Sequence, residues 1–267
     1  GDYTTRWPAD LHVVGKGITR FHCVIWPSML LAAGLELPKE IWAHGYVQWE
    51  GAKMSKTAGT AVSLGSAIDR YGADALRYYL LREVGFENDG NFTWERFDAR
   101  YDADLANGYG NLASRVLAMI DRYTGALVPD DETVTPLDQD GKTAVEAYAA
   151  AMDRLSLQAA ADAAWSLVSR ANQYVQETAP WTLAKAGKTA ELATVLAALA
   201  RALSRITVLA SPFMPAKTQS VWESLGFPGA ITQATWQDAE APTMAGKRVT
   251  KPQPLFPKPE PSPANAG

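Results

Sequence analysis

The hydrophobic pattern of the chain changes near Trp94, and this change constrains the fold more than any other sequence feature. Before it, Leu11 to Val14 predicts one buried strand and Ile41 to Val47 a second. Helices are predicted between them and after them, over 18–33, 63–71 and 74–83. Strands that alternate with helices indicate an α/β layer with a parallel sheet.

After Trp94 the pattern is helical almost throughout. Leu105, Leu112 and Val116 recur at helical spacing. Further helices are predicted over 143–155, 157–177, 190–209 and 219–225, with a turn-rich link over 125–136. This half therefore predicts a helix bundle. Residues 246–267 are rich in proline, so we expect a largely disordered tail in which only Leu255 to Pro257 docks.

Composition excludes several classes of protein. The single cysteine, Cys23, rules out an internal disulfide and a multi-cysteine metal site. The three histidines show no ligand spacing, so no metal site is predicted. Charged residues, glycine or proline interrupt the long apolar stretches, so we predict no membrane span. The net charge of −4 means that a polynucleotide would bind only through a local patch.

A glycine-flanked loop, 51–59, carries Lys53 and Lys56 three residues apart. Such a loop can bring two ammonium groups to one anionic ligand. When ATP is attacked at its α-phosphate, charge builds on the departing pyrophosphate, and well-placed cations stabilise that charge in the transition state. The alternative is a solvated turn with ordinary surface lysines. A glycine-flanked pair of lysines, taken alone, favours this alternative.

The residues Lys-Met-Ser-Lys-Thr at 53–57 resemble the Lys-Met-Ser-Lys-Ser signature of class I aminoacyl-tRNA synthetases. The context also matches, with a strand before the loop and a helix that carries 74–79 after it. The resemblance implies that Lys53 and Lys56 steady the phosphates of ATP during catalysis. It also implies that His44 and Gly45 border the ATP site, and that ATP enters with Mg²⁺.

Upstream, 14–18 followed by Phe21-His22 and Trp26-Pro27 resembles methionyl-tRNA synthetases, which have Gly-Lys-Asp-Ile, Phe-His and Trp-Pro there. His22 and Trp26 are four residues apart and share one helix face. The resemblance places this face at the methionine pocket. The alternative is that His22 is an ordinary half-buried histidine and Trp26 an ordinary core tryptophan. Gly17 stands where the family has an aspartate, so a carboxylate expected near the active site is missing.

The bundle carries a second signature of the same family. Asn111-Leu112-Ala113-Ser114-Arg115 resembles its Asn-Leu-Ala-x-Arg helix, and Ala179-Pro180-Trp181 resembles its Ala-Pro-Trp. An amide and a guanidinium four residues apart can hydrogen-bond the edges of unstacked bases, and an indole can stack on one. The resemblance implies that Asn111, Arg115 and Trp181 read the CAU anticodon of tRNA(Met). The alternative is a polar helix face and a core or capping tryptophan.

Taken over the whole chain, the resemblance implies an α/β remnant of a Rossmann-type nucleotide-binding domain followed by an all-α anticodon-binding helix bundle. We expect 1–92 to be the C-terminal part of a class I catalytic domain with the lysine loop and a stem-contact region. The bundle is expected over 93–245 and the tail over 246–267. The implied activity is ligation of methionine to tRNA(Met) with ATP, through methionyl-adenylate, by a cytoplasmic monomer.

Two features of the family are missing from these 267 residues, namely its His-x-Gly-His signature and its zinc-bearing insertion. We therefore expect no zinc in this chain, and we expect these residues alone not to activate methionine. The alternatives are a non-catalytic tRNA-binding module or degenerate paralogue, another class I synthetase, and a structural helical scaffold. The scaffold leaves the lysine loop unexplained.

Overall fold

The structure is a computed structural model that describes residues 3–49, 52–53, 64–83, 89–251 and 253–257. The chain forms two compact units. One combines 1–62 with 83–93, and the other combines 63–82 with 94–267. The described strands lie in the first unit and most of the helices in the second.

The first unit holds two small sheets. Its elements are α1 (Tyr3–Arg6), β1 (Leu11–Gly15), a 3-10 turn (Lys16–Ile18), a π-helical segment (Phe21–Ile25), α2 (Trp26–Ala32), β2 (Glu40–His44), β3 (Val47–Trp49), β4 (Ala52–Lys53) and β5 (Gly90–Phe92). β1 and β2 pair in parallel, and the second sheet has the order β4-β3-β5. The predicted parallel α/β layer is confirmed. The single strand predicted over 41–47 is two strands, because residues 45 and 46 carry the chain from one sheet to the other.

The second unit is a helix bundle, as predicted. Its helices are α3 (Leu64–Tyr71), α4 (Ala73–Glu83), α5 (Trp94–Arg100), a π-helical segment (Tyr101–Gly110), α6 (Asn111–Thr124), α7 (Pro136–Asp153), α8 (Leu157–Thr178), α9 (Pro180–Lys185), α10 (Thr189–Ala210), α11 (Pro215–Ser224) and α12 (Trp236–Glu240). The α5 helix, the π-helical segment and α6 run on without a break, so one long helical rod forms a wall of the bundle.

Helix α10 is the centre of the bundle and packs against α6, α7, α8, α9, α11 and α12. By length and composition it is the one described helix that could cross a membrane. In the bundle, however, 78% of the most apolar 18-residue stretch of this helix is buried. The apolar residues of α10 therefore form protein core, which accounts for a composition unlike that of a surface helix.

A buried ionic cluster fixes the start of α7. Thr135 caps this helix, and its backbone N–H donates to Asp138 Oδ2 at 2.9 Å. Arg201 on α10 donates to both carboxylate oxygens of Asp138, at 2.7 and 2.8 Å. Arg205, one turn further on, lies 3.5 Å from Asp138 Oδ1 and donates to the carbonyl of Ala239 at 3.1 Å. The cluster therefore joins the N-terminus of α7 to α10 and α12.

The C-terminal segment docks on the long helical rod. Leu255 and Phe256 are buried, as expected for this part of the tail. The Tyr101 hydroxyl donates to the carbonyl of Pro257 at 2.7 Å. Phe256 lies so close to Gly110 that a Cβ at that position would be 3.1 Å from its ring. Glycine at 110 therefore allows the tail to approach the helix closely. The remaining tail residues, 252 and 258–267, lie outside the described residues.

Candidate functional site

The parallel strands β1 and β2 end at one edge of their sheet, where Gly15 is the register partner of His44. Ligands of α/β folds bind at the carboxyl ends of parallel strands. The predicted ATP-site residues His44 and Gly45 lie at this edge. His44 Nδ1 donates to the carbonyl of Gly45 at 2.8 Å, so a local hydrogen bond orients the imidazole.

An ion pair that sequence reasoning missed lies at the same edge. Lys16 Nζ is 2.5 Å from Asp89 Oδ1 and 5.2 Å from the centre of the Tyr46 ring. The hydrogen bond from Lys16, with those from the backbone N–H of Tyr46 and from Gln48, lowers the pKa of Asp89. Asp89 directly precedes the three-residue strand β5, which was not predicted, so nothing in the local pattern singled it out.

The space beside Gly17 is filled by Tyr46. A Cβ at position 17 would collide with the Tyr46 hydroxyl. An aspartate at position 17 would therefore require Tyr46 to move. The carboxylate that lies next to Lys16 in this chain is that of Asp89.

His22 and Trp26 belong to one aromatic cluster, together with Trp7 and His12. The Trp7 and Trp26 rings meet edge to face with centroids 6.1 Å apart. The His12 and His22 rings are arranged likewise, also at 6.1 Å. His22 Nδ1 is 3.0 Å from the carbonyl of Ile18, which fixes the ring. Both predicted pocket residues thus line the same side of their helix, and their contact with methionine stays a prediction.

The predicted phosphate-binding lysines are described only in part. Lys53 lies on β4, opposite Gln48 of β3, and its side chain is outside the described residues. Lys56 and the remainder of the loop over 54–63 are outside them as well. Their catalytic role stays a prediction.

In the second unit, Asn111 and Arg115 line an open groove of about 450 Å³ between the long helical rod and α8. We call it the amide groove, because most of its polar lining is amide side chains. The amides are Asn107, Asn111, Asn172, Gln173 and Gln176, and the other polar side chains are those of Asp104, Arg115 and Ser169. The sequence had indicated the first helix of this groove, but not the amides that α8 contributes.

Two contacts determine the chemistry of the amide groove. With its amide oxygen turned toward Arg115, Gln176 accepts hydrogen bonds from both Nη atoms at 3.1 Å, which holds the guanidinium in place. Asn172 Nδ2 donates to the carbonyls of Val168 and Gly108, at 3.1 and 3.3 Å. Its Oδ1 is buried without a partner among the described residues. The groove therefore offers a fixed donor, Arg115, whereas the unpaired acceptor of Asn172 is buried.

Trp181 lies beyond the end of α8, on the short helix α9. The chain turns at Ala179, whose φ of 41° is left-handed, and Pro180 is buried as the first residue of α9. The Trp181 side chain is 43% exposed, so the alternative that it is a core tryptophan is wrong. Trp181 does not itself line the amide groove.

The comparisons with known proteins match two successive stretches of the chain. Residues 2–117 match the family described as "tRNA synthetases class I (M)", which assigns the chain to the class I aminoacyl-tRNA synthetases. Residues 125–262 match the "Anticodon binding domain of methionyl tRNA ligase". The chain belongs to the methionyl-tRNA synthetase family.

Individual relatives show the same likeness over part of their length. The chain is 45% identical over 261 residues to the methionine–tRNA ligase of Caldanaerobacter subterraneus, covering 94% of this chain and 40% of that one. It is 42% identical to the methionine–tRNA ligase of Streptomyces coelicolor, covering 98% of this chain and 51% of that protein. A solved structure of Mycobacterium tuberculosis methionyl-tRNA synthetase with methionyl-adenylate superimposes on this chain with a TM-score of 0.89 at 33% identity. The superposition covers 96% of this chain and 51% of that one. The chain thus spans about half or less of these relatives.

Proposed function

We propose that the helix bundle of this chain binds the anticodon of tRNA(Met). The observation that carries the proposal is the amide groove, in which Gln176 fixes the Arg115 guanidinium beside Asn111. Unstacked bases present donors and acceptors on their edges, and amides and guanidinium groups hydrogen-bond them. Trp181, exposed just after α8, stacks on one base.

The direct test is binding of an isolated anticodon stem-loop by the 267-residue chain. We expect the stem-loop with the CAU anticodon to bind at least tenfold more tightly than one with all three anticodon bases changed. Fluorescence anisotropy at constant salt concentration measures both affinities. Equal affinities would contradict the proposal, because phosphate contacts alone carry no sequence preference.

Asn111→Ala is expected to reduce the preference for CAU by about tenfold, since one well-placed polar pair discriminates by about 1–3 kcal/mol. The affinity for the changed stem-loop should alter little. Gln139→Ala, which removes an exposed amide from α7, is the control and should leave the preference intact. An unchanged preference in Asn111→Ala would remove Asn111 from the proposed base contacts.

We further propose that a protein containing this chain ligates methionine to tRNA(Met) with ATP, through methionyl-adenylate. The adenylate bound to the Mycobacterium tuberculosis relative supports ATP as the substrate. In this proposal Lys53 and Lys56 hold the ATP phosphates, and His44 and Gly45 border the nucleotide at the end of β2. His22 and Trp26 contact methionine from the aromatic cluster.

Magnesium would enter with ATP. Among the described residues, no three acidic, histidine or cysteine side chains come together as a metal site. In this proposal Mg²⁺ is therefore bound through the phosphates of ATP. We propose a monomer in the cytoplasm, and sedimentation of the chain at several concentrations tests its oligomeric state.

Methionine-dependent exchange of pyrophosphate into ATP tests catalysis. We expect the 267-residue polypeptide to show no exchange above background while it still binds the CAU stem-loop. Exchange by this polypeptide would overturn that expectation. If a longer protein that contains this chain also shows no exchange, the chain belongs to a non-catalytic tRNA-binding module instead. The second alternative, another class I synthetase, is not supported, because both family matches are of the methionine type.

A further inference from the structure

A second groove lies next to the amide groove, where the docked C-terminal segment runs along the long helical rod. Its volume is about 620 Å³, larger than the 450 Å³ of the amide groove. We call it the tail groove. Its polar lining consists of Asn107, Asn111 and Ser114 from the rod, and Lys251 and Gln253 from the tail.

The two grooves share one ridge. Asn107 and Asn111 line both of them, so these side chains stand between the amide groove and the tail groove. They are exposed, and neither makes a hydrogen bond to another described residue. A single strand of RNA whose base reaches Asn111 in the amide groove would therefore continue across the ridge into the tail groove.

The charge of the tail groove suits a phosphate. Among the described residues that line the groove, Lys251 is the only charged one, and none is a carboxylate. In the described part of the chain, the ammonium group of Lys251 has no ion-pair partner. In a protein with a net charge of −4, a cation without an acidic neighbour in such a groove is a local feature that attracts an anion.

The segment that carries Lys251 is fixed at both ends. Before it, the backbone N–H of Val249 donates to the carbonyl of Ala126 at 2.8 Å, and that of Thr250 donates to the carbonyl of Ser224 at 2.8 Å. After it, Phe256 packs on Gly110 and Lys217. A cation on an anchored segment needs less ordering on binding than one on a free tail.

We propose that the tail groove binds the RNA nucleotides that adjoin those in the amide groove, with Lys251 on a backbone phosphate and Gln253 on a base or ribose. This inference rests on the proposed anticodon binding and extends it. It assigns to the tail a direct part in holding the anticodon loop, in addition to its packing on the bundle.

The test is the salt dependence of stem-loop binding by the 267-residue chain and by Lys251→Gln. The substitution keeps a polar side chain and removes the charge. We expect three- to tenfold weaker binding at low salt, and a plot of log Kd against log salt whose slope is shallower by about 0.7 to 0.9, as for the loss of one phosphate contact. Gln253→Ala should weaken binding about threefold with the slope unchanged.

Lys142→Gln is the matched control, because it removes the same charge from an exposed position on α7. It should leave both the affinity and the slope unchanged. If Lys251→Gln behaves like this control while Trp181→Ala still weakens binding, the tail-groove inference is wrong and the anticodon proposal stands. If the unaltered chain does not bind the CAU stem-loop, both fail. An equal melting temperature for Lys251→Gln and the unaltered chain shows that the tail remains docked.

Discussion

Replacing Trp181 with alanine is expected to weaken binding of the CAU stem-loop by about ten- to a hundredfold. Stacking of one base on an aromatic side chain contributes roughly 1–3 kcal/mol, and each 1.4 kcal/mol is about a factor of ten. Because the side chain is 43% exposed, its removal leaves no large cavity, and the fold should persist. Titration of the labelled stem-loop measures the loss.

Trp236→Ala provides a control of the same chemistry. Trp236 is 42% exposed and lies on α12, where its indole N–H donates to Glu240. It lines neither the amide groove nor the tail groove. We expect this variant to bind RNA like the unaltered chain. Equal losses in the two variants would show that any exposed tryptophan matters, and would remove the specific role of Trp181.

Replacing Asp138 with asparagine is expected to destabilise the bundle by about 3–5 kcal/mol, because breaking a buried ion pair from one side leaves an uncompensated charge. Arg201 and Arg205 both lose the carboxylate charge, and Arg205 is the more deeply buried of the two. Its side chain is only 5% exposed, and burial lowers the pKa of its guanidinium. Urea denaturation followed by circular dichroism measures the difference in unfolding free energy.

Asp140→Asn is the matched control on the same helix. The Asp140 carboxylate pairs with Arg170 at 2.8 Å and is 43% exposed. An ion pair this accessible to solvent contributes no more than about 1 kcal/mol, so we expect a small loss. Similar losses in both variants would mean that the buried cluster is no more important than a surface pair.

The pH dependence of unfolding provides a second test of Asp138. Burial alone would raise its pKa, but the hydrogen bonds from Arg201 and Thr135 outweigh burial and hold the pKa at about 2. Since the unfolded value is about 3.9, the ionised carboxylate adds about 2 to 3 kcal/mol above pH 4. This stability should be lost as the pH falls from about 4 to 2. Asp138→Asn should lack that component of the pH dependence.

The sequence predicted the elements whose pattern is carried by many residues. Helices α8 and α10 lie within a few residues of their predicted positions, because a buried face repeats over their whole length. The β1 strand also lies where it was predicted, but it is not a fully buried strand, since Val14 is buried and Val13 is exposed. The short strands β4 and β5 are too brief for any periodicity. The π-helical segment over 101–110 was read as ordinary helix, because its wider hydrogen bonding leaves no separate pattern in the sequence.

One boundary was missed although its signal was present. Helix α7 was predicted to begin at residue 143 but begins at Pro136. Thr135 followed three residues later by Asp138 forms a capping box, and proline is favoured at the first helical position. The proline and the acidic residues of the link over 125–136 also favour a turn, and this is the pattern behind the predicted start at residue 143.

For the candidate sites, the sequence indicated single residues but not their partners. Asn111 and Arg115 lie together because they are one helical turn apart, which spacing predicts. Gln176 meets Arg115, and Asp89 meets Lys16, only through packing between segments far apart in the chain. No local pattern contains that information.

Helix α10 has a consequence for how the chain is synthesised. As the nascent chain leaves the ribosome, this 22-residue segment is apolar enough to resemble a membrane segment until it is covered. Four of the helices that bury it, α6, α7, α8 and α9, precede it in the sequence and are already available. The order of the helices thus limits the time during which this apolar helix is exposed to water.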